Sequence, residues 1–223
     1  MIESITINHH IEKFIINVLM YQEFARFSQL RAPRTDTNLF AYHLKLLQKA
    51  KIVVKTDVGY TLSADGLSYV DRVSTEKKTI RTQPKIITML LVQNSNGDIL
   101  LQKRDKQPYI NVWTLPYGKL HIEDETLEIA ARRESEDKLN YSPLTIRHAG
   151  DCYIRVTSNG DPLSTTLAHV FRFEYDDIEV TDDLQWVRPH KLDKYRLAPA
   201  VQEIVARSFF NDDYFFEEFN AVW

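Results

Sequence analysis

The segment Thr75-Glu76-Lys77-Lys78-Thr79-Ile80-Arg81-Thr82-Gln83-Pro84-Lys85 constrains the fold most. It is polar, holds a proline, and separates two stretches of different hydrophobic period. Before it, apolar residues recur at spacings of three and four; after it come short apolar runs separated by turn residues. A chain of 223 residues is long enough for a core on each side. The expected organisation is therefore a domain at residues 1–75, a linker at 76–84 and a second domain at 85–223.

In the first domain Ile11, Phe14, Ile15, Val18 and Leu19 form one helical stripe. A short helix is expected over Phe24–Leu30, ending where Pro33 bars continuation. Asp36 or Thr37 can cap a third helix whose stripe is Phe40, His43, Leu44, Leu47 and Ala50, with His43 a packed core residue. Ile52-Val53-Val54 and Tyr60-Thr61-Leu62 read as a small hairpin, and Ser63 can cap a last helix through Leu67, Val70 and Val73. This order, with Asn38–Leu47 as third helix and Gly59–Gly66 closing the hairpin, resembles winged-helix transcription regulators of the ArsR and MarR type. The resemblance implies a third helix in the major groove of double-stranded DNA and a wing on phosphate. The residues placed to make those contacts are Arg31, Arg34, Thr37, Asn38, Tyr42, Lys45 and Lys55. The same residues also fit an ordinary solvated face, and winged helices serve as protein-contact modules too.

Charge permits the nucleic-acid reading without demanding it. Residues 1–83 carry 12 basic and 8 acidic side chains, leaving 16 and 23 in the remainder. Cys152 is the single cysteine, so no internal disulfide forms and a reducing, cytoplasmic setting is expected. The apolar run Ile86–Val92 is too short to cross a bilayer, and no basic-then-apolar leader is read near Glu3, so no membrane partner is expected.

In the second domain Lys85–Val92 reads as a buried strand, with Asp98–Arg104 as its hairpin partner across Asn94–Gly97. A helix is expected over Glu125–Leu139, begun by an acidic first turn, then strands near Ile146–Val156, Leu167–Tyr175 and Leu184–Val187 and a helix over Ala198–Phe210. Leu100-Leu101-Gln102-Lys103-Arg104, then Trp113-Thr114-Leu115-Pro116-Tyr117-Gly118, then Glu125–Glu134, together with the later Leu184-Gln185-Trp186-Val187, resemble the Nudix superfamily. The chain as a whole is thus read as α+β: an N-terminal winged helix-turn-helix domain followed by an α/β/α Nudix-fold domain with a mixed sheet.

That resemblance implies Mg²⁺- or Mn²⁺-assisted hydrolysis of a nucleoside diphosphate linked to another group. Carboxylates at i, i+3 and i+4 of one helix would hold the ions and activate water. The family pattern is Gly, five residues, Glu, seven residues, then Arg-Glu-apolar-any-Glu-Glu-any-Gly. Taking Arg133-Glu134 as the Arg-Glu pair puts Glu125 at the required spacing, with six residues after Gly118 instead of five. The paired glutamates become Asp137 and Lys138, and the glycine becomes Asn140, a residue suited to a left-handed cap. A second register, using Asp124, Arg132 and Glu136-Asp137, sacrifices more of the pattern. The resemblance thus implies Glu134, Asp137 and Arg133 as catalytic residues and Glu134, Asp137 and Glu125 as metal ligands, with Glu136 a possible helper. Asp161, Glu174 or Asp183 can add a ligand, but nothing in the sequence selects one. The same acids also fit a solvated face paired with Arg132, Arg133 and Lys138.

Arg104, Lys119 and His121 are placed to contact phosphate, and Tyr109 and Trp113 to stack a base. The lipid-isomerising members of the family share the Gln-Lys-Arg and Trp pattern, but their catalytic cysteine has no counterpart, since Cys152 falls on a later strand. The aromatic tail Phe209–Phe219 is expected to pack over a domain or to form part of a homodimer contact. Two functions stay open. In one, the second domain senses a nucleotide-like diphosphate and controls DNA binding; in the other, it hydrolyses such a compound. An ammonium at Lys138, where a metal-binding carboxylate belongs, favours the first.

Overall fold

The computed structural model describes residues 7–72, 83–210 and 213–223, and the chain divides into two compact units between Thr82 and Gln83. Most of the expected linker, together with Glu3, Val73, Asn211 and Asp212, lies outside the described residues. Among the described residues no helix is long and apolar enough to cross a membrane.

The first unit runs α1 (His10–Tyr21), α2 (Phe27–Leu30), α3 (Thr37–Lys49), β1 (Val53–Lys55), β2 (Tyr60–Leu62), α4 (Ala64–Arg72), the order of a winged helix-turn-helix. Ile11, Ile15, Ile16 and Leu19 of α1 are buried, while Phe14 and Val18 lie on the flank. Helix α2 starts three residues later than expected because Ala25 is taken up in a two-way backbone pairing with Tyr60 of the hairpin, at 2.9 Å in each direction. Asp36 caps α3: its Oδ1 accepts from the Asn38 and Leu39 amides at 2.9 Å. Phe40, Leu44 and Leu47 then fill the core. His43 is buried beside them, its Nδ1 2.9 Å from Glu12 Oε1 and its ring stacked on His9. Ser63 caps α4 by accepting from the Gly66 amide at 3.0 Å. The buried face of α4 is Gly66 and Tyr69; Leu67, expected inside, is exposed.

The second unit is an eight-stranded mixed sheet in the order β10-β7-β8-β3-β4-β5, with β6 also on β3 and β9 on β4. Its strands are β3 (Lys85–Gln93), β4 (Ile99–Lys103), β5 (Trp113–Thr114), β6 (Tyr117–Lys119), β7 (Arg147–Ser158), β8 (Asp161–Glu174), β9 (Leu184–Val187) and β10 (Phe215–Val222). Helices α5 (Leu127–Leu139) and α6 (Val201–Phe210) cover opposite faces. Strand β3 alternates between them: Ile87, Met89 and Leu91 pack with Val201, Ile204 and Val205 of α6, whereas Leu90 and Val92 pack with Ala131 of α5. Burial on both faces explains its unbroken apolar run.

Two expectations are corrected. The hairpin between β3 and β4 closes at a single pair, Gln93 with Ile99; β4 then turns to β9, and β3 takes β8 as a parallel neighbour and β6 as an antiparallel one. Helix α5 begins at Leu127, since Thr126 is its cap and accepts from the Ile129 amide at 3.1 Å, so Glu125 stands ahead of the helix. The aromatic tail packs on this domain as expected, with Phe215 in the α6-side core and Phe219 against it. It does so as β10, paired parallel to β7 from Phe215 with Gly150 to Val222 with Thr157. Gly150 makes that approach possible, because a Cβ there would lie 2.5 Å from the Phe215 carbonyl oxygen.

Helix α5 ends as the sequence suggested, with Asn140 left-handed at φ 51° and its amide donating to Glu136 O. Asn140→Val should lower the unfolding free energy of the second unit by about 1–2 kcal/mol. Asn140→Gly should keep it within about 0.5 kcal/mol of the parent; denaturant titration of the full chain reads both.

Candidate functional site

The loop from β6 to α5 is organised by Arg133. Its Nε and Nη2 donate to the two oxygens of Asp124 at 2.9 and 2.8 Å, Nη1 donates to Glu134 Oε1 at 2.5 Å, and Nη2 also reaches Lys119 O at 3.2 Å. The backbone amide of His121 adds a third donor to Asp124, at 2.7 Å. The Arg133 hydrogen bonds, joined by the His121 amide, outweigh burial and hold the Asp124 carboxyl down at about 2. Asp124 and, less strongly, Glu134 raise the Arg133 guanidinium further. Arg133 is thus a clamp between helix and loop, spent on positioning.

What it positions is Glu134, whose side chain is 8% exposed. The carboxylate lies where a side chain of Gly118 would be: a Cβ on Gly118 would fall 1.7 Å from Glu134 Oε2. Glycine is required here for space, its φ being ordinary. Ser135 faces the core, its hydroxyl donating to Tyr141 O at 2.6 Å. Of the remaining acids, Asp137 shares a partner with Glu134, the Arg133 Nη1 nitrogen. Asp137 is 64% exposed, with Oδ2 3.9 Å from Arg133 Nη1, and Glu125 and Glu136 are exposed. Lys138, one helical turn beyond Glu134, is half-buried. One carboxylate already engaged by arginine, one exposed aspartate and a neighbouring ammonium do not make the oxygen-rich donor set that Mg²⁺ needs. Of the acids that the sequence left open, Asp161, Glu174 and Asp183 all lie on exposed surface at strand ends or in a turn.

The sequence-expected ligand residues separate into three places. Arg104 and Tyr109 line one cleft with Lys85, Ile87, Met89, Tyr117, Ser164 and Thr166. There the Arg104 guanidinium lies 5.3 Å from the Tyr117 ring centroid and 5.9 Å from that of Tyr109, and donates to the Pro108 and Lys106 carbonyls. Burial lowers the Arg104 guanidinium below its ordinary value. The Tyr109 hydroxyl meets Ser164 Oγ at 2.7 Å, and its ring meets Trp223 edge-on. Lys119, the last residue of β6, and His121, on the β6–α5 loop, are instead exposed. Trp113 packs half-buried against Tyr195 at the edge of the core. Tyr117 and Lys85, missed in the sequence, enter the cleft because alternation along β6 and β3 sends them there; only the strand pairing reveals it. The cleft opens on the α6 face, since Ile87 and Met89 line it. Gly118 pairs with Thr88, which points to the α5 face. Adjacent residues of β6 therefore serve the cleft and Glu134 separately.

The profile of the NUDIX domain family matches residues 83–208, more than half of the chain. The chain belongs to the Nudix family. Solved structures similar to it include the mutator MutT protein of Bacillus halodurans, at 16% identity and TM-score 0.51, matching 61% of this chain and 89% of that one. The Nudix domain of Shewanella oneidensis NrtR, solved with ADP-ribose, matches at 17% identity and TM-score 0.48, over 65% of this chain and 98% of that one. Shewanella oneidensis NrtR with a 27mer DNA matches at 17% identity and TM-score 0.46, over 55% of this chain and 59% of that one. At these identities the MutT likeness is one of fold.

In the first unit, Arg31, Arg34, Thr37, Asn38, Tyr42, Lys45 and Lys55 are all exposed. Asn38, Tyr42 and Lys45 share one face of α3 through their spacing of four and three. Arg31 Nη1 donates to Thr37 Oγ1 at 2.6 Å, joining the turn before α3 to its first residue.

Gly118→Ala should displace Glu134 and destabilise the Nudix domain by about 1–3 kcal/mol, as overpacking does. The Asp124 clamp also sets a pH dependence. A carboxyl held at about 2 stabilises the fold above its unfolded range and loses that contribution as pH falls towards 2. The stability gap between the parent and Asp124→Asn should therefore be full above about pH 5 and narrow steadily below about pH 4; urea midpoints across this range measure it.

Proposed function

We propose that this chain is a DNA-binding transcriptional regulator whose Nudix domain binds a nucleoside-diphosphate-type ligand and does not cleave it. Lys138 carries the reading. Pyrophosphate hydrolysis needs divalent cations gathered by carboxylates, and an ammonium one turn beyond Glu134 both removes a ligand and repels the ion. Binding needs less. Arg104 and Lys85 offer positive charge to phosphates, and Tyr109 and Tyr117 offer faces for a base, in a cleft separate from the helix acids. The exposed basic and amide side chains on and before α3 suit phosphate and base-edge contacts in a major groove.

A second reading, a metal-dependent hydrolase, is favoured by one observation: Glu134 is held by Arg133 over Gly118, an arrangement built for one carboxylate in one place. Hydrolases of this family generally use divalent metal ions, so this reading requires turnover with Mg²⁺ or Mn²⁺.

Incubation with a panel of nucleoside diphosphate derivatives and either metal should give no pyrophosphate cleavage. At least one of the compounds should bind the full chain, with an affinity that Arg104→Ala lowers by about tenfold or more. Turnover abolished by Glu134→Gln would establish the hydrolase instead. Duplex DNA binding should weaken steeply with salt, and Arg34→Ala and Lys45→Ala should each weaken it and flatten the salt slope by roughly one unit. A chain that binds no duplex under any salt condition is not a regulator of this kind.

A further inference from the structure

We propose that His148, Asp151 and His169 form a binding site for one divalent transition-metal ion of the zinc class, apart from the acids of the Nudix helix. The cluster joins β7 to β8: Asp151 pairs directly with His169 across the ladder. Three donor atoms, one from each side chain, lie within 4.8 Å of one another, and among the described residues no other group of three or more histidines, cysteines or acids does so. His148 Nε2 and His169 Nδ1 both stand 2.7 Å from a single oxygen, Asp151 Oδ1.

A strand irregularity creates the cluster. Residues 148 and 151 are an odd number apart and would point to opposite faces of a regular strand. The register shifts between His148 and Gly150, so that Ala149 is the extra residue of a bulge. Ala149 is buried in the α6-side core, while His148 stacks on Phe171 in the α5-side layer, next to Asp151 and His169. One inserted residue thus brings both imidazoles and the carboxylate to one face. Bulges often lie beside functional sites, and this one interrupts the β7–β8 ladder next to the cluster.

The surroundings suit an ion more than a buried ion pair. The side chains of His148, Asp151 and His169 are 30%, 18% and 12% exposed, enough for entry and little enough to exclude bulk water. The other carboxylate oxygen, Asp151 Oδ2, accepts from Tyr214 Oη at 2.6 Å, and the Tyr214 ring stands edge-on to His148. Outer partners of this kind hold metal ligands in orientation. Two neutral imidazoles and one carboxylate give an N₂O set, which selects zinc, cobalt, nickel or ferrous ions over Mg²⁺ or Ca²⁺. Cys152 supplies no sulfur: burial pushes its thiol up to about 12, and it packs into the opposite face. At metal–ligand distances of about 2.0–2.2 Å the donors need to sit roughly 3–3.5 Å apart, a small opening from their present contacts. Each imidazole would carry its proton on the ring nitrogen turned away from the ion.

The bound ion would tie β7, β8 and the residue preceding β10 together. The test uses the full chain, stripped with chelator and titrated with Co²⁺ as a coloured probe and with Zn²⁺ as competitor. Expected is one saturable equivalent with d–d absorption, displaced by Zn²⁺, and a rise in the unfolding temperature of the Nudix domain on Zn²⁺ addition. His148→Ala and Asp151→Asn should each weaken the Co²⁺ site by at least about tenfold and abolish the thermal shift, and Tyr214→Phe should weaken it by about tenfold. Asp137→Asn should leave it unchanged. His148 lies at the partly exposed rim, so its variant keeps the test open if a more buried one fails to fold, with circular dichroism as the check. Absence of saturable binding, or binding unaffected by both His148→Ala and Asp151→Asn, would show a hydrogen-bonded cluster only and overturn the proposal.

Discussion

The Nudix domain turns on the contact between the Glu134 carboxylate and the backbone of Gly118. A buried carboxylate is costly unless it is paired, and Arg133 pairs it. That arginine is in turn fixed by the two oxygens of Asp124, which the His121 amide also holds. Helix α5, strand β6 and the loop between them are thereby locked into one unit. Loss of the Arg133 guanidinium would leave the buried carboxylates of Glu134 and Asp124 without their charged partner.

This chain of dependence ties the Arg133-Glu134 pair to the loop and leaves the exposed acids of the helix outside it. Arg133 and Glu134 are structural partners of the loop whatever the domain does to a ligand. Asp137 is exposed and Lys138 half-buried, and neither belongs to the locked unit. A substitution at either position leaves the Arg133 clamp in place. On the other face of the sheet lies the cleft, with the Arg104 guanidinium set over two tyrosine rings.

Two strand-level features place the remaining candidate groups. Alternation along β6 sends Tyr117 to the cleft and Gly118 to Glu134, so one three-residue strand serves both. The bulge at Ala149 reverses alternation in β7 and assembles His148, Asp151 and His169 on one face. Gly150, beside the bulge, lets β10 approach β7 closely enough to carry Tyr214 to Asp151.

The amino-acid sequence by itself determined the division into two folding units, the helices with strong stripes, the left-handed cap at Asn140 and the departure at Lys138. These are legible because they depend on period, turn chemistry and residue type within a few positions. Tertiary structure decided which strands pair. Strand β4 leaves β3 for β9, β8 joins β3 in parallel, and the aromatic tail becomes β10. It also decided which expected site residues meet: Arg104 and Tyr109 share a cleft, while Trp113, Lys119 and His121 go elsewhere. The His148 cluster was invisible because its members lie up to 21 positions apart and a bulge hides their common face. Pairing between distant strands is chosen by burial of whole faces, which no local stretch of sequence encodes.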